Sequence, residues 1–152
     1  MNIQDLKNRF QAVANTDSAI ESFMFDELPA INTKRQKKYP VVLLKTPSSK
    51  TDGFSFTTNQ QQLEDYTINF YVLTTWTKED KKTIGLEQRY KEVNKIGDDY
   101  LRTLLAQGGN EYYLFDNKTV TKTNGHHLHV DQLVGTQYTF TLRVSNIDNC
   151  TI

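Results

Sequence analysis

The chain opens with apolar residues at helical spacing. They recur three or four positions apart, which predicts a short amphipathic helix with one buried stripe. The stripe consists of Ile3, Leu6, Phe10 and Val13. Residues 15–18 (NTDS) follow, and because such side chains compete for backbone hydrogen bonds, we expect the helix to end there.

The next segments are predicted to be short strands joined by polar connections. Residues 19–25 (AIESFMF) alternate in side-chain type, which favours a strand. Ser18 and Glu21 also have capping-box spacing, so a second helix is the alternative interpretation. A polar connection over 26–40 leads to the apolar run 41–44, which is typical of a buried strand.

A loop and then the clearest strand follow. Residues 46–53 (TPSSKTDG) are rich in turn-forming types and predict a loop. Over 65–75, two sets of side chains alternate with a period of two. One set is Tyr66, Ile68, Phe70 and Val72, and the other is Thr67, Asn69, Tyr71 and Leu73. Both faces are partly apolar, as in a strand that contacts a neighbouring subunit or in an ordinary sheet with an exposed tyrosine.

One long helix is predicted after this strand. Thr77 and Asp80 have capping-box spacing at its start, and Gly108-Gly109 supplies its stop. Its apolar stripe is Leu86, Tyr90, Val93, Gly97, Tyr100, Leu101 and Leu104. A glycine inside a helix costs up to about 1 kcal/mol relative to alanine. We therefore predict a close approach between the helix and the sheet at Gly97.

The last third of the chain is predicted to be β-structure. Residues 112–115 lead to a turn at 116–117. Asn124-Gly125 is the strongest short hairpin signal in the chain, and we expect it to join strands over 119–123 and 126–130. A final strand over 136–144 places its apolar residues on one face; these are Tyr138, Phe140, Leu142 and Val144.

These elements predict one α+β domain over residues 1–152. We expect a mostly antiparallel sheet with one long helix packed on it and a short N-terminal helix.

Composition restricts the class of protein. Lys and Arg together number 18, as do Asp and Glu, so the chain lacks the basic excess of a dedicated nucleic-acid binder. No apolar run comes near the length of a membrane-spanning helix, which is about 20 residues. The first ten residues lack the apolar core of an export signal. The sequence therefore predicts a soluble cytosolic protein without membrane contact.

Three histidines cluster at 126, 127 and 129. On a strand, His127, His129 and Asp131 would share one face, and such ligands can bind a divalent metal. The alternative interpretation is a set of polar residues beside a turn, because structural metal sites usually draw four ligands from separated segments. We favour this alternative and predict no metal or cofactor, with His127, His129 and Asp131 as weak candidates.

No catalytic residues are predicted. Cys150, the single cysteine, stands in a polar segment without an evident base or helix dipole to activate a thiol. Glu79 and Asp80 stand at a predicted helix N-terminus, where carboxylates complement the helix dipole. No phosphate-binding glycine loop or nucleophile elbow is present. The sequence thus predicts a protein that is not an enzyme.

The most distinctive polar feature is a basic run in the connection 26–40. It consists of Lys34, Arg35, Lys37 and Lys38. Such residues could contact DNA phosphates, meet an acidic patch on a partner or form a solvated loop. No DNA-binding motif accompanies the run, so sequence-specific recognition is not expected.

Two segments carry a resemblance to a known group of proteins. Residues 22–44 (SFMFDELPAINTKRQKKYPVVLL) resemble small virion proteins of tailed phages and prophages of Bacteroidales hosts, including crAss-like phages. The shared pattern is an F-x-F/D-x-L segment, a polar connection, Tyr39-Pro40 and an apolar strand. Residues 131–150 (DQLVGTQYTFTLRVSNIDNC) are similar to the ending of the same group. The element order also resembles the tail-terminator fold, whose protomers form rings at the head–tail junction.

The resemblance implies a structural virion protein, either a tail-terminator or a neck/connector ring subunit that leaves a channel for DNA. It implies a homo-oligomeric ring of about six or twelve copies, assembled in the host bacterial cytoplasm and incorporated into the virion. Its partners would be portal, connector or tail proteins and passing DNA. The basic run would bind an acidic surface of such a protein or face the DNA channel. A phage-encoded protein that binds a host factor and a small enzyme with a His127/His129/Asp131 site are the alternatives.

Overall fold

The computed structural model describes residues 3–25, 38–47, 49–55, 60–108, 113–126 and 133–145. The helices in these ranges are α1 (Ile3–Thr16), α2 (Lys78–Thr83) and α3 (Leu86–Gly108). The strands are β1 (Ser22–Phe25), β2 (Val41–Leu44), β3 (Ser49–Ser55), β4 (Gln60–Thr75), β5 (Tyr113–His126) and β6 (Leu133–Ser145). The predicted α+β class is confirmed.

The six described strands form one sheet, in which five follow the order β1-β2-β4-β6-β5 and β3 pairs with β4 beside this path. β1 and β2 are parallel, and every other pairing is antiparallel. β4 is the central strand: β6 pairs along one of its edges, while β3 and then β2 pair along the other. The predicted mostly antiparallel sheet is therefore confirmed.

Helices α1 and α3 lie on one face of this sheet. α1 lies over β1 and β2, and α3 lies over β4, β6 and β5. The alternation predicted for β4 and β6 supplies the buried side chains beneath them, namely Tyr66, Ile68, Phe70, Val72, Tyr138, Phe140 and Leu142. Phe70 is central, since its ring stacks on Tyr138 at 4.7 Å and meets Tyr100 of α3 edge-on at 5.4 Å.

The buried hydroxyl of Tyr100 ties the two helices together. It donates a hydrogen bond of 2.7 Å to the carbonyl oxygen of Phe10 in α1. The Phe10 ring in turn lies edge-on to both Phe70 and Tyr100. Burial raises the pKa of Tyr100 well above the usual value near 10, so the hydroxyl stays protonated and remains a donor.

A smaller apolar cluster lies on the opposite face of the sheet, at its β1–β2 end. Its buried members are Met24, Val41, Leu43, Leu73 and Leu133, with Tyr39 and Tyr71 partly buried beside them. All four residues of β2 are fully buried. The apolar run 41–44 is therefore a strand covered on both faces, as its composition predicts.

Three predictions about loops and turns are wrong. Residues 49–53, the second part of the loop expected over 46–53, belong to β3, which pairs with β4. Asn124-Gly125, expected to be a hairpin turn, lies inside β5, with Asn124 opposite Thr136 and Gly125 opposite Gly135. The turn expected at 116–117 is also part of β5, where the register shifts between Asp116 and Thr121. In each case the ladder to a long neighbouring strand outweighs the local turn preference.

The predicted long helix is two helices. The capping box is present, but it begins the short helix α2: the Thr77 hydroxyl accepts from the amide of Asp80, and the Asp80 carboxylate accepts from the amide of Thr77. α2 ends at Thr83, the C-cap residue Ile84 has an extended backbone, and α3 begins at Leu86. The strand interpretation of 22–25 is confirmed, so Ser18 and Glu21 do not begin a helix.

Candidate functional site

Hydroxyl and amide side chains line the sheet face opposite α1 and α3. They alternate with the core residues of β4 and β6, because successive side chains of a strand point to opposite faces. This polar sheet face consists of Thr67, Asn69, Gln137, Thr139 and Thr141, all half-buried. Thr121 and Thr123 of β5 lie opposite Thr139 and Gln137, and extend the face to exposed positions at the sheet edge.

Hydrogen bonds between the two strands order this polar sheet face. The Asn69 Oδ1 atom accepts from Thr139 Oγ1 at 2.8 Å and from Gln137 Nε2 at 3.2 Å. Asn69 and Thr139 are directly opposite in the register of β4 and β6. None of these five side chains ionises near pH 7, so each presents an uncharged hydroxyl or amide group.

The two ends of the polar sheet face differ in character. At one end, half-buried Tyr71 borders the smaller apolar cluster, and burial raises the pKa of its hydroxyl, which therefore stays neutral at pH 7. At the other end, Asp65 and Arg143 are register partners of opposite charge. Charge also occurs beside the middle of the face, because the Lys45 amide donates to the carbonyl oxygen of Asn69 at 3.0 Å and so places half-buried Lys45 next to Asn69.

A second polar group links α3 to the sheet. The Tyr138 hydroxyl lies 2.9 Å from Asp98 Oδ1 and 3.1 Å from the carbonyl oxygen of Asn94, and donates its proton to one of them at a time. The Lys122 ammonium donates to Asp98 at 3.1 Å. Burial, followed by the hydrogen bond and charge of Asp98, raises the pKa of Tyr138 far above 10. A phenol held neutral in this way positions the helix and is a poor nucleophile.

An ion-pair group lies where α2 meets α3. Arg89 contacts Asp80 at 3.2 Å and Glu92 at 3.0 Å through its terminal nitrogens. The hydrogen bond from the backbone of Thr77 lowers the pKa of Asp80, and Arg89 adds to the effect. This arrangement joins the capping carboxylate of α2 to Arg89 of α3, so we assign it a structural role.

The structure describes only one of the residues singled out as partner or DNA contacts. Lys38 is exposed, and its carbonyl oxygen accepts a 2.6 Å hydrogen bond from the Ser22 hydroxyl, which places it beside β1. The other three, Lys34, Arg35 and Lys37, lie outside the described residues.

The weak metal candidates His127, His129 and Asp131 also lie outside the described residues, as does Cys150. Within the described ranges, no group of three His, Cys, Asp or Glu side chains is placed to hold a metal ion. The metal hypothesis therefore has no test in this structure.

The polar sheet face was not singled out from the sequence. Its signal was present, because Thr67 and Asn69 alternate with the core set of β4, and Thr139 and Thr141 do so in the final strand. The missing fact was the adjacency of β4 and β6, since Asn69 and Thr139 are 70 positions apart along the chain. Periodicity identifies the faces of one strand but not its neighbour.

Comparison with known proteins gives no family assignment. No protein-family model matches the chain, and no curated protein matches it significantly. Among the helices that the structure describes, none is long and apolar enough to cross a membrane.

Proposed function

We propose that the chain is a structural virion protein of a tailed bacteriophage, a tail-terminator or neck/connector ring subunit that joins the head–tail junction and leaves a channel for DNA. The observation that carries the proposal is the polar sheet face, whose five hydroxyl and amide side chains carry no charge. The resemblance of residues 22–44 and 131–150 to small virion proteins supplies the phage context.

An uncharged polar wall suits a channel through which DNA must move. Each Lys or Arg contact to a phosphate adds affinity for DNA, so each such contact in the channel would slow the passage of the DNA. A carboxylate-lined wall would instead repel the DNA. The hydroxyl and amide groups of Thr67, Asn69 and Thr139 can exchange hydrogen bonds with the water around DNA, and they hold no phosphate by charge. In the proposed ring this face lines the channel, and α1 and α3 face outward.

The remaining features are assigned by the same reasoning. Equal numbers of acidic and basic residues let copies pack side by side without strong mutual repulsion. The basic run Lys34, Arg35, Lys37 and Lys38 provides a positive surface for an acidic portal, connector or tail protein. The subunit acts by its shape and contacts and has no catalytic role.

Mutant phage particles test this function. The protein should be present in purified particles by mass spectrometry. The double substitution Thr67→Lys/Thr141→Lys, at two register partners on the polar sheet face, should slow DNA ejection on the order of tenfold by adding phosphate contacts. The matched control is Gln88→Lys/Ala106→Lys, which adds the same charge on the exposed side of α3 and should eject DNA at the normal rate.

Each part of this experiment can contradict the proposal. Particles that lack the protein exclude a virion role. Particles that contain it, and eject DNA equally fast with either pair of lysines, exclude the polar sheet face as the channel wall.

A further inference from the structure

The sheet ends in an open strand edge on each side. β5 is the last strand at one end and β1 at the other. In the described part of the chain, no segment pairs with the outer edge of either strand. Backbone N–H and C=O groups along such an edge form a ready template for another strand.

The second half of β5 lacks the features that keep sheet edges from pairing. Natural edges are protected by prolines, bulges, short strands or exposed charges. The irregularity of β5 lies between Asp116 and Thr121, and from Thr121 to His126 its pairing with β6 is regular. This stretch has no proline, and the ammonium group of its single lysine, Lys122, forms a salt bridge with Asp98 of α3.

β1 is matched to this stretch of β5 in position and direction. Its four residues (SFMF) include no charge and no proline. Followed across the sheet, the row of Ser22 contains Val41, Leu73, Gly135 and Gly125. The row of Phe25 contains Leu44, Phe70, Tyr138 and Lys122. The successive pairings also make β1 run opposite to β5.

We propose that the outer edge of β5 pairs antiparallel with the outer edge of β1 in a second copy of the chain. The inference rests on the proposed ring, because a head-to-tail contact of this kind closes into a ring when its rotation closes. The occupant is a second copy because both edges belong to this chain, lie on the same rows and run in opposite directions. The continued sheet keeps the helices of all copies on one face and the polar sheet faces on the other.

β3 offers a further open edge but fits less well. Ser49 shares its row with Thr67, Thr141 and Asp116. The edge of β3 is therefore level with the part of β5 that precedes the irregularity. The regular stretch from Thr121 onward is level with β1.

Engineered disulfides test the pairing directly. Neighbouring strands lie about 4.8 Å apart, so the four spacings from β1 to β5 separate them by about 19 Å within one chain, whereas a disulfide needs Cα atoms within about 7 Å. A bond between position 22 and position 125 must therefore join two copies. Cys150→Ser provides the background, because it removes the single native cysteine.

The same-face pair should form covalent oligomers. Ser22→Cys combined with Gly125→Cys, its register partner in the proposed pairing, should give, on oxidation, at least about tenfold more crosslinked chain than Ser22→Cys combined with Asn124→Cys, whose side chain points to the other face. High salt favours the reaction because the proposed pairing places Lys122 opposite Phe25, whose ring lies 5.4 Å from the Lys7 ammonium, and salt screens the repulsion between the two lysines. A mixture of the two single-cysteine chains should stop at dimers.

The outcomes separate this inference from the proposed function. Oligomers seen by light scattering without crosslinks above the Asn124→Cys control overturn the β1–β5 contact and leave a ring possible through another surface. A chain that stays monomeric at high concentration and high salt also overturns the contact. The presence of the protein in virions is then decided independently by mass spectrometry.

Discussion

At the scale of single residues, Gly97 sets the distance between α3 and the sheet. A Cβ atom at this position would overlap the ring and hydroxyl of Tyr138, which is itself stacked on Phe70. The close approach predicted from a glycine on an apolar helix stripe is therefore confirmed. The residue that Gly97 approaches is Tyr138, whose ring stacks on Phe70 and whose hydroxyl lies 2.9 Å from Asp98 Oδ1.

Gly97→Ala is expected to lower the free energy of unfolding by about 1–3 kcal/mol, the usual cost of overpacking. The gain in helix propensity, at most about 1 kcal/mol, offsets only part of this. The matched control is Gly85→Ser, since an added Cβ there meets nothing within 4 Å and serine suits the position before a helix. Urea unfolding should leave the control within about 0.5 kcal/mol of the parent; equal losses in both variants would contradict the tight contact.

At the scale of elements, the capping box at Thr77 makes a short helix possible. α2 spans six residues and buries none of them, so its ends must supply much of its stability. Thr77→Ala is expected to cost about 1 kcal/mol in the free energy of unfolding, because it removes the oxygen that accepts from the Asp80 amide. Thr77→Ser keeps that oxygen and should cost a few tenths at most. An alanine variant as stable as the serine variant in urea unfolding would contradict the role of the cap.

The elements also show which parts of the fold and site follow from sequence. Alternation identified the buried faces of β4 and β6 correctly, because burial acts on each strand separately. The turn signals were wrong at Asn124-Gly125 and at residues 49–53 of the expected loop, where local turn preference is a small free energy and pairing to a long neighbour decides. The polar sheet face could not be predicted, since Asn69 and Gln137 meet only when the strand order is known.

At the scale of the whole molecule, stability depends on pH through two buried tyrosines. Burial raises the pKa of both Tyr100 and Tyr138, and Asp98 adds to the shift at Tyr138. Below about pH 10, both are protonated whether the chain is folded or unfolded, so their contribution is constant. Above that pH, the unfolded chain loses these protons and the folded chain keeps them, so stability falls until the pH reaches the folded-state pKa values.

The expected slope above about pH 10 is about 1.4 kcal/mol per pH unit for each tyrosine. Chemical unfolding measured between about pH 9 and pH 11 should show the fall, and Tyr100→Phe/Tyr138→Phe should remove most of it. Tyr90→Phe serves as a control because Tyr90 is only half-buried, although its pKa is also raised by desolvation. An unchanged slope in the double variant would mean that other groups cause the alkaline unfolding.

The central position of β4 also bears on folding, because its pairing with β6 joins distant parts of the chain. β4 pairs with three strands, and its longest partner, β6, lies about 70 residues further along the chain, as the contact between Asn69 and Thr139 shows. The entropy of closing so long a loop is lost before that pairing is gained, which makes such contacts slow to form. On the ribosome, β1 to β4 and both major helices are made before β6 appears. The core residues of β4 between Tyr66 and Val72 therefore lack their pairing with β6 until synthesis reaches the last strand.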